Sequence, residues 1–541
     1  MNGLRTRPIR WAAASPIALA LLTLLLITSC GPHPAPPGTL HPGTSSSVVR
    51  LTILHTNDTH GHILPFSYPE GKTGSSTLDS LKVRRDIGGV ARRATLVKEV
   101  RAECKATGDT VRLIDAGDFS DGTPFSTEYH GEADVAAMNA CGYNYGTFGN
   151  HEFNNQPSQV QRLAGMAGDR ILCANMVWKS GKSKDKPFLC PFAVERLGSL
   201  TVGFFGLTTP EAGSYPGARD SLLVLPPIET AKAMVDSLRR HGADVIILVS
   251  HCGNEVDDGL AELVPGITAI VGGHSHSRLP SGEWFKPVPD EQADPGGTIV
   301  VQAHQWGGEL GRLDLEFRKG AFGKWTMTKH EARLLPVTPT ITPDPAVATV
   351  VDRFWAPIAE KYGKVIGTAE GDFVSRGPDR AEYNLMADAI RETFATDIEM
   401  ENLGGVRAPL VRGPITLADL VNMDPFSNTV VTYKITGSQL RNLLLHREPA
   451  VSGIRYRIEN GDLVEVTVNG KPLEDGSNGT TDREYTGTSN SFFAGKTLMG
   501  IVTWVDTGRP RLDVLVEYIK GKGTITPSYD GRRIVGRNSS E

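Results

Sequence analysis

Four short apolar runs in the first half of the chain each lead into a cluster of aspartate, asparagine or histidine. The runs are Val49 to His55, Val111 to Ile114, Val245 to Val249 and Ile267 to Val271. Runs of this length and composition read as buried strands. The clusters, in chain order, are Asp58-Thr59-His60, Gly117-Asp118, Gly149-Asn150-His151-Glu152, Ser250-His251 and Gly272-Gly273-His274-Ser275-His276. An open α/β sheet places ligands in the crevice beyond the carboxyl ends of its strands, so side chains far apart in the chain can meet at one site. Carboxylate, amide oxygen and neutral imidazole are the donors that hard and borderline divalent ions prefer, and all three are present without thiolate.

Taken singly, these pieces carry little. An Asp-x-His is common in solvated loops, and Gly-Asp alone is nearly uninformative. Gly-Asn-His-Glu and Gly-His-Ser-His are rarer, and their glycines permit close backbone approach. As an ordered set the motifs resemble the calcineurin-like metallophosphoesterases, and within them the bacterial 5'-nucleotidases and UDP-sugar hydrolases. The resemblance runs from about Val49 to about Gly536. It implies two divalent metal ions, drawn from Mn, Zn, Fe, Co or Mg. Asp58, His60 and His276 would hold one, Asn150, His251 and His274 the other, and Asp118 would bridge them. Some relatives place Gln at the position of His276. The resemblance gives His151 a catalytic role, stabilising the transition state or protonating the leaving alkoxide, while activated water attacks phosphorus in line. Relatives commonly carry an aspartate where this chain has Asn154, which could orient His151 but supplies no negative charge. Glu152 reads as a structural hydrogen-bonding carboxylate.

A chain of 541 residues is too long for one ordinary core. A formal charge of −5 lacks the basic excess that a nucleic-acid polymer as partner would require. Arg5, Arg7 and Arg10 precede an apolar stretch, Ile17 to Ile27, that is short for a membrane span. Ile27-Thr28-Ser29-Cys30-Gly31 then resembles a bacterial lipobox, so residues 1–30 read as a lipoprotein signal peptide with lipid attached at Cys30. Residues 31–47, rich in Pro, Gly, Ser and Thr, read as a disordered tether to a membrane. Gly31 lacks the aspartate associated with inner-membrane retention, which in a Gram-negative cell points to the outer membrane, facing periplasm or cell surface. Cys173 and Cys190 flank a polar segment, and export permits a disulfide between them; buried thiols are the alternative.

The expected fold class is α/β. Residues 48–337 would form a metallophosphoesterase β-sandwich flanked by helices, 338–362 a linker helix, and 363–536 a smaller α+β substrate-binding domain. Leu315, Phe317, Trp325 and Leu334 fit strands closing the second sheet. Val347, Val350, Val351, Phe354 and Ile358 repeat at helical spacing, with Pro357 as an interruption.

Three later segments carry the resemblance into the second domain: Asn384 to Ala389, Glu401 to Arg407, and Asp424-Pro425-Phe426-Ser427-Asn428. They imply that Arg407 faces a phosphate or carboxylate. Phe426 would stack on a base, and Asn402 and Asn428 would supply polar contacts. Phe492 is the candidate second aromatic, and Arg376 or Arg380 a further arginine. Relatives follow the second aromatic with Gly-Gly-Asp-Gly, whereas here Leu498 stands in place of the aspartate. Three function classes follow. The first is a lipid-anchored 5'-nucleotidase-like phosphohydrolase. The second is a relative with another leaving group: a nucleotide-sugar pyrophosphatase, a cyclic-nucleotide phosphodiesterase or a sulfur-group hydrolase. The third is a surface binding lipoprotein that has lost catalysis.

Overall fold

The computed structural model describes residues 48–70, 82–286, 296–320 and 323–536. The leader, Cys30 and the tether lie outside the described residues. No helix among the described residues is long and apolar enough to cross a membrane. Two compact units emerge. Among the described residues, one contains those up to Leu64, Gly88–Asp121 and those from His130 to Val351; the other contains those from Pro65 to Ile87, Gly122–Tyr129 and those from Asp352 to Gly536.

The first unit is built on two sheets. In spatial order, one consists of Trp325–Pro336, Glu309–Lys319, Val48–Thr56, Thr110–Asp115 and Tyr145–Gly146. The other runs Glu283–Phe285, Thr298–Val301, Ala269–Val271, Val245–His251, Leu200–Thr208 and Phe192–Leu197. Leu51, Ile53, Ile247, Val249, Leu313 and Phe317 share one core. Ile246, Leu248 and Ile270 face the other way and pack with Met234 and Leu238 of helix Pro227–Arg240 and with Leu260 of helix Asn254–Leu263. Burial on both faces explains why the 245–249 run is apolar throughout rather than alternating.

Val48–Thr56 and Thr110–Asp115 are parallel, as are Leu200–Thr208, Val245–His251 and Ala269–Val271. The motifs therefore follow the carboxyl ends of parallel strands. One expectation is corrected: Glu309–Lys319 and Trp325–Pro336, which carry Leu315, Phe317, Trp325 and Leu334, join the sheet of Val48–Thr56 in antiparallel register. Apolar alternation identifies a strand's buried face but not the strand beside it. Beyond them, helix Pro345–Trp355 stops before Pro357 and a short helix, Ala359–Tyr362, follows.

In the second unit a five-stranded sheet runs Ala450–Ser452, Ile398–Glu401, Glu484–Asn490, Thr429–Thr436 and Trp504–Pro510. Ile398–Glu401 and Glu484–Asn490 are parallel, and Thr429–Thr436 is antiparallel to the latter with Val430 opposite Asn490. The segments that leave residues 401 and 490 and the segment that enters residue 429 therefore share one sheet edge. Those are the segments of Asn402 and Arg407, of Phe492, and of Phe426 and Asn428.

Candidate functional site

The expected metal ligands gather within the first unit. Ligand atoms of Asp58, His60 and His276 lie within 4.8 Å of one another, as do those of Asp118, His251 and His274, and those of His60, Asp118 and His151. Asn150, the remaining expected ligand, directly precedes His151, whose backbone N–H donates to Asp118 Oδ1 at 2.8 Å. His276 Nε2 is 3.3 Å from Asp58 Oδ1 and 3.2 Å from His60 Nε2. His251 Nε2 is 3.0 Å from Asp118 Oδ2 and 4.0 Å from Asp58 Oδ1.

Backbone strain concentrates here. Asp58, His60, Asp118, His274 and His276 have φ between 46° and 75°. Left-handed backbone is costly for residues with a Cβ and persists where surrounding contacts over-determine it. Here the strand-end loops bond to one another: Asp58 N donates to Gly117 O, His60 N to Asp118 O, and His274 N to Asp58 Oδ2 at 2.9 Å. The glycines make room. A Cβ on Gly149 would lie 2.1 Å from Asp118 Oδ1 and 2.6 Å from His251 Nε2.

Glu152 is fully buried and accepts from the backbone N–H groups of Asp118, Gly149 and Ser120 at 3.1, 2.7 and 3.0 Å. It thus ties the Gly117-Asp118 loop to the Gly149-Asn150 loop, the structural role expected of it. Asn150 Nδ2 donates to Tyr215 Oη at 3.0 Å, and that bond leaves Asn150 Oδ1 buried without a hydrogen-bond partner.

Electrostatics show what the cluster is built for. Burial opposes charge on Asp118, yet the neighbouring His251, His151 and His60 hold its carboxyl well below the usual range. Burial likewise opposes charge on His251, but the Asp118 and Asp58 carboxylates push its imidazolium up to about 10. The site demands positive charge between its carboxylates. An orphaned amide oxygen, two buried carboxylates and four imidazoles fit divalent ions well. Metal uptake must then displace a proton from His251, since a protonated imidazole cannot ligate. Affinity should fall as pH falls, by about tenfold per unit below the His251 value where one proton is exchanged. Calorimetry in buffers of different ionisation enthalpy checks this; uptake near neutrality without proton release would contradict it.

His151 is where sequence and structure part. The sequence offers Asn154 as its uncharged partner. Asn154 is indeed beside it, with Nδ2 2.9 Å from His151 Nδ1, but Asp121 Oδ2 lies 2.8 Å from the same nitrogen and also accepts from Asn154 Nδ2. The imidazole therefore does have an acidic neighbour, supplied by Asp121.

The second unit gathers its candidates along the sheet edge described above. Arg407 lies with its guanidinium 5.9 Å from the centre of the Phe426 ring. Asn402 Oδ1 accepts from Asn490 Nδ2 at 2.9 Å, and Asn428 Oδ1 accepts from Ser491 Oγ at 3.3 Å. Phe492 is 52% exposed, which suits a stacking surface. Leu498 is fully buried in a core cluster with Phe493 and Ala494, so it packs rather than facing a ligand. Arg380 lies 5.5 Å from the Tyr383 ring, on a two-stranded hairpin that Ser375–Arg376 forms with Asp379–Arg380. Cys173 is a free buried thiol, so the Cys173–Cys190 bridge does not form.

Residues 51–278 match the calcineurin-like phosphoesterase family, and residues 365–503 match the 5'-nucleotidase C-terminal domain. The chain belongs to the 5'-nucleotidase family of metallophosphoesterases. As a member it is a metal-dependent phosphoester hydrolase. A 5'-nucleotidase of Vibrio parahaemolyticus is 28% identical across 94% of this chain and 95% of its own. The structure of a 5'-nucleotidase precursor from Thermus thermophilus superposes with a TM-score of 0.75 at 27% identity, covering 90% of this chain and 99% of that one. The sulfate thiohydrolase SoxB of the same species gives a TM-score of 0.74 at 20% identity, over 93% of this chain and 99% of that one; this likeness is one of fold.

Three residues of this family member escape sequence reading. Asp121 is 30 positions from His151, and Tyr215 is 65 from Asn150. Arg511, fully buried, bonds to Glu401 and Asp424 from 110 and 87 positions away. No local pattern announces such pairs.

Proposed function

We propose that this chain releases phosphate from nucleoside monophosphates or related phosphoesters, using water that two bound divalent cations would activate. The observation that carries the reading is the convergence of Asp58, His60 and His276 with Asp118, His251 and His274 on one centre, with His151 beside Asp118. Asn150 would complete the second set. Cations held there supply Lewis acidity, which activates water and offsets charge on the phosphoryl oxygens. His151, held at Nδ1, presents Nε2 to the leaving alkoxide and gives it a proton. Asn402, Arg407, Phe426, Asn428 and Phe492, with Arg376 or Arg380, hold the nucleotide through its base and its negative charge. The functional domains are 48–337 and 363–536, joined by a linker at 338–362. Export on a signal peptide with lipid at Cys30 would put the enzyme outside the cytoplasm.

A panel of mononucleotides, nucleotide sugars, cyclic nucleotides and aryl phosphates, assayed with manganese, tests the reading. Mononucleotides should be the best substrates. No hydrolysis of any phosphoester by the metal-loaded chain would sink it, and a preference for nucleotide sugars or cyclic nucleotides would move it within the family.

Stacking on an aromatic ring is worth roughly 1–3 kcal/mol per base, so Phe426→Ala or Phe492→Ala should raise KM for AMP about 5- to 150-fold. KM for an aryl phosphate small enough to leave the clamp empty should change little. Equal losses on both substrates would show that these rings do not read the base.

A further inference from the structure

Two of the three segments that carry the clamp meet at one guanidinium, and the third joins them through a shared carboxylate. Arg511 opens helix Arg511–Lys522 and is fully buried. Its Nε donates to Asp424 Oδ2 at 2.9 Å, and Nη2 donates to Asp424 Oδ1, which makes a bidentate pair. Nη1 donates to Glu401 Oε2 at 2.7 Å, and Nη2 also donates to the backbone oxygen of Gly405 at 2.7 Å. The Arg511 backbone N–H donates to Asn428 O at 2.9 Å. One residue thus grips the 401–407 segment at two points and the 424–428 segment at both ends.

The third segment is attached through Asn490. Its Nδ2 donates to Glu401 Oε2, the acceptor that Arg511 also uses, and to Asn402 Oδ1. Its Oδ1 accepts from Phe493 N at 2.8 Å, which caps the turn carrying Phe492. Arg407 N donates to Met423 O at 2.9 Å, closing the ring between the first two segments. A second buried carboxyl, Glu399, stands beside this group; burial and the Glu401 charge push it well above the usual carboxylate range.

A buried arginine among carboxylates is a poor source of net stability, because desolvation offsets most of the attraction. What a planar fork does well is fix several acceptors in one mutual geometry, and lysine, a point charge, does not. We propose that Arg511 is the positioning residue of the substrate clamp, setting the spacing of Arg407, Phe426 and Phe492 through Glu401, Gly405, Asp424 and Asn428. A fully buried guanidinium is out of reach of substrate, so the residue acts through its neighbours. The proposal deepens the nucleotide reading above and rests on it.

The experiment uses the full chain loaded with manganese and compares wild type with Arg511→Lys. A second variant, Asp424→Asn, keeps the shape of one acceptor and weakens the bidentate pair without leaving a cavity. Steady-state kinetics on AMP and on p-nitrophenyl phosphate are paired with hydrogen exchange over residues 402–407, 424–428 and 490–493. Arg511→Lys should raise KM for AMP by about tenfold or more, because a point charge cannot replace the fork. Asp424→Asn should raise it severalfold with kcat within about twofold of wild type, and should raise KM for the aryl phosphate less, since that substrate meets Arg407 but has no base to stack. Exchange should quicken in all three segments together. If Arg511→Lys does not fold, Asp424→Asn alone decides. An unchanged KM for AMP, or equal rises for both substrates, overturns the proposal. Should wild type show no preference for AMP, the nucleotide reading fails instead; unaltered exchange in the three segments then overturns the positioning role separately.

Discussion

Asp118→Ala should abolish phosphate release, with a loss in kcat of roughly 10³-fold or more, because in the proposed site one carboxylate would serve both donor sets and the charge that activates water would go with it. The geometry gives this residue an unusual number of tasks. Its Oδ2 lies 3.0 Å from His251 Nε2, its Oδ1 accepts from His151 N at 2.8 Å, and its backbone oxygen accepts from His60 N. Its removal should therefore lower bound metal more than His60→Ala, which takes away one ligand of one set. Elemental analysis of the purified variants, per mole of chain, makes the comparison. Equal occupancy in wild type and Asp118→Ala would refute the bridging role, whatever the rates show.

Asp121→Asn should cost about 10- to 100-fold in kcat, the usual consequence of losing a hydrogen-bonded group that orients a reacting one. The ceiling is set by His151→Ala, since a general acid typically contributes about 10²- to 10⁴-fold. In the wild type Asp121 Oδ2 meets Nδ1 of His151 and Nδ2 of Asn154 together. An amide at 121 can turn its NH₂ toward Nδ1 and leave the ring in the wrong tautomer. Asn154 Nδ2 is only 2.9 Å from that same nitrogen, so a carboxylate at 154 would stand within reach of it. The double variant Asp121→Asn, Asn154→Asp should therefore recover much of the lost rate. Alone, Asn154→Asp sets two carboxylates against one imidazole and should gain nothing. An Asp121→Asn enzyme as fast as wild type would remove Asp121 from the mechanism; a loss that Asn154→Asp fails to relieve would leave Asp121 with packing alone.

These two residues show how unevenly the site could be read. Asp58, His60, Asp118, Asn150, His251, His274 and His276 were legible because they sit in compact motifs, most of them just after an apolar run, and parallel strands deliver such positions to one edge by their hydrogen-bond register. Asp121 follows the same run as Asp118, but nothing in its neighbourhood marks it off from a solvated loop aspartate. Its meaning comes from a φ of 70° and from His151 arriving out of another loop.

The second unit repeats the lesson. Phe426, Arg407 and Asn428 stood out by resemblance, whereas Arg511, which holds their segments, belongs to none of the motifs that carry it. Leu498, which stands where relatives carry the aspartate, has its side chain in the core, a placement that only the packing reveals.

Apolar period and strand-end chemistry by themselves determined the sheets' buried faces, the metal-binding character of the first unit and the chemistry available to it, because these depend on side chains a few positions apart. The tertiary structure alone decided that Glu309–Lys319 pairs with Val48–Thr56, that Cys173 stays a thiol, and that Asp121 supplies the charge at His151 that Asn154 lacks. Those outcomes turn on which groups come within about 3 Å across long loops, and a hydrogen bond of that length is set by the packing of whole elements rather than by local sequence.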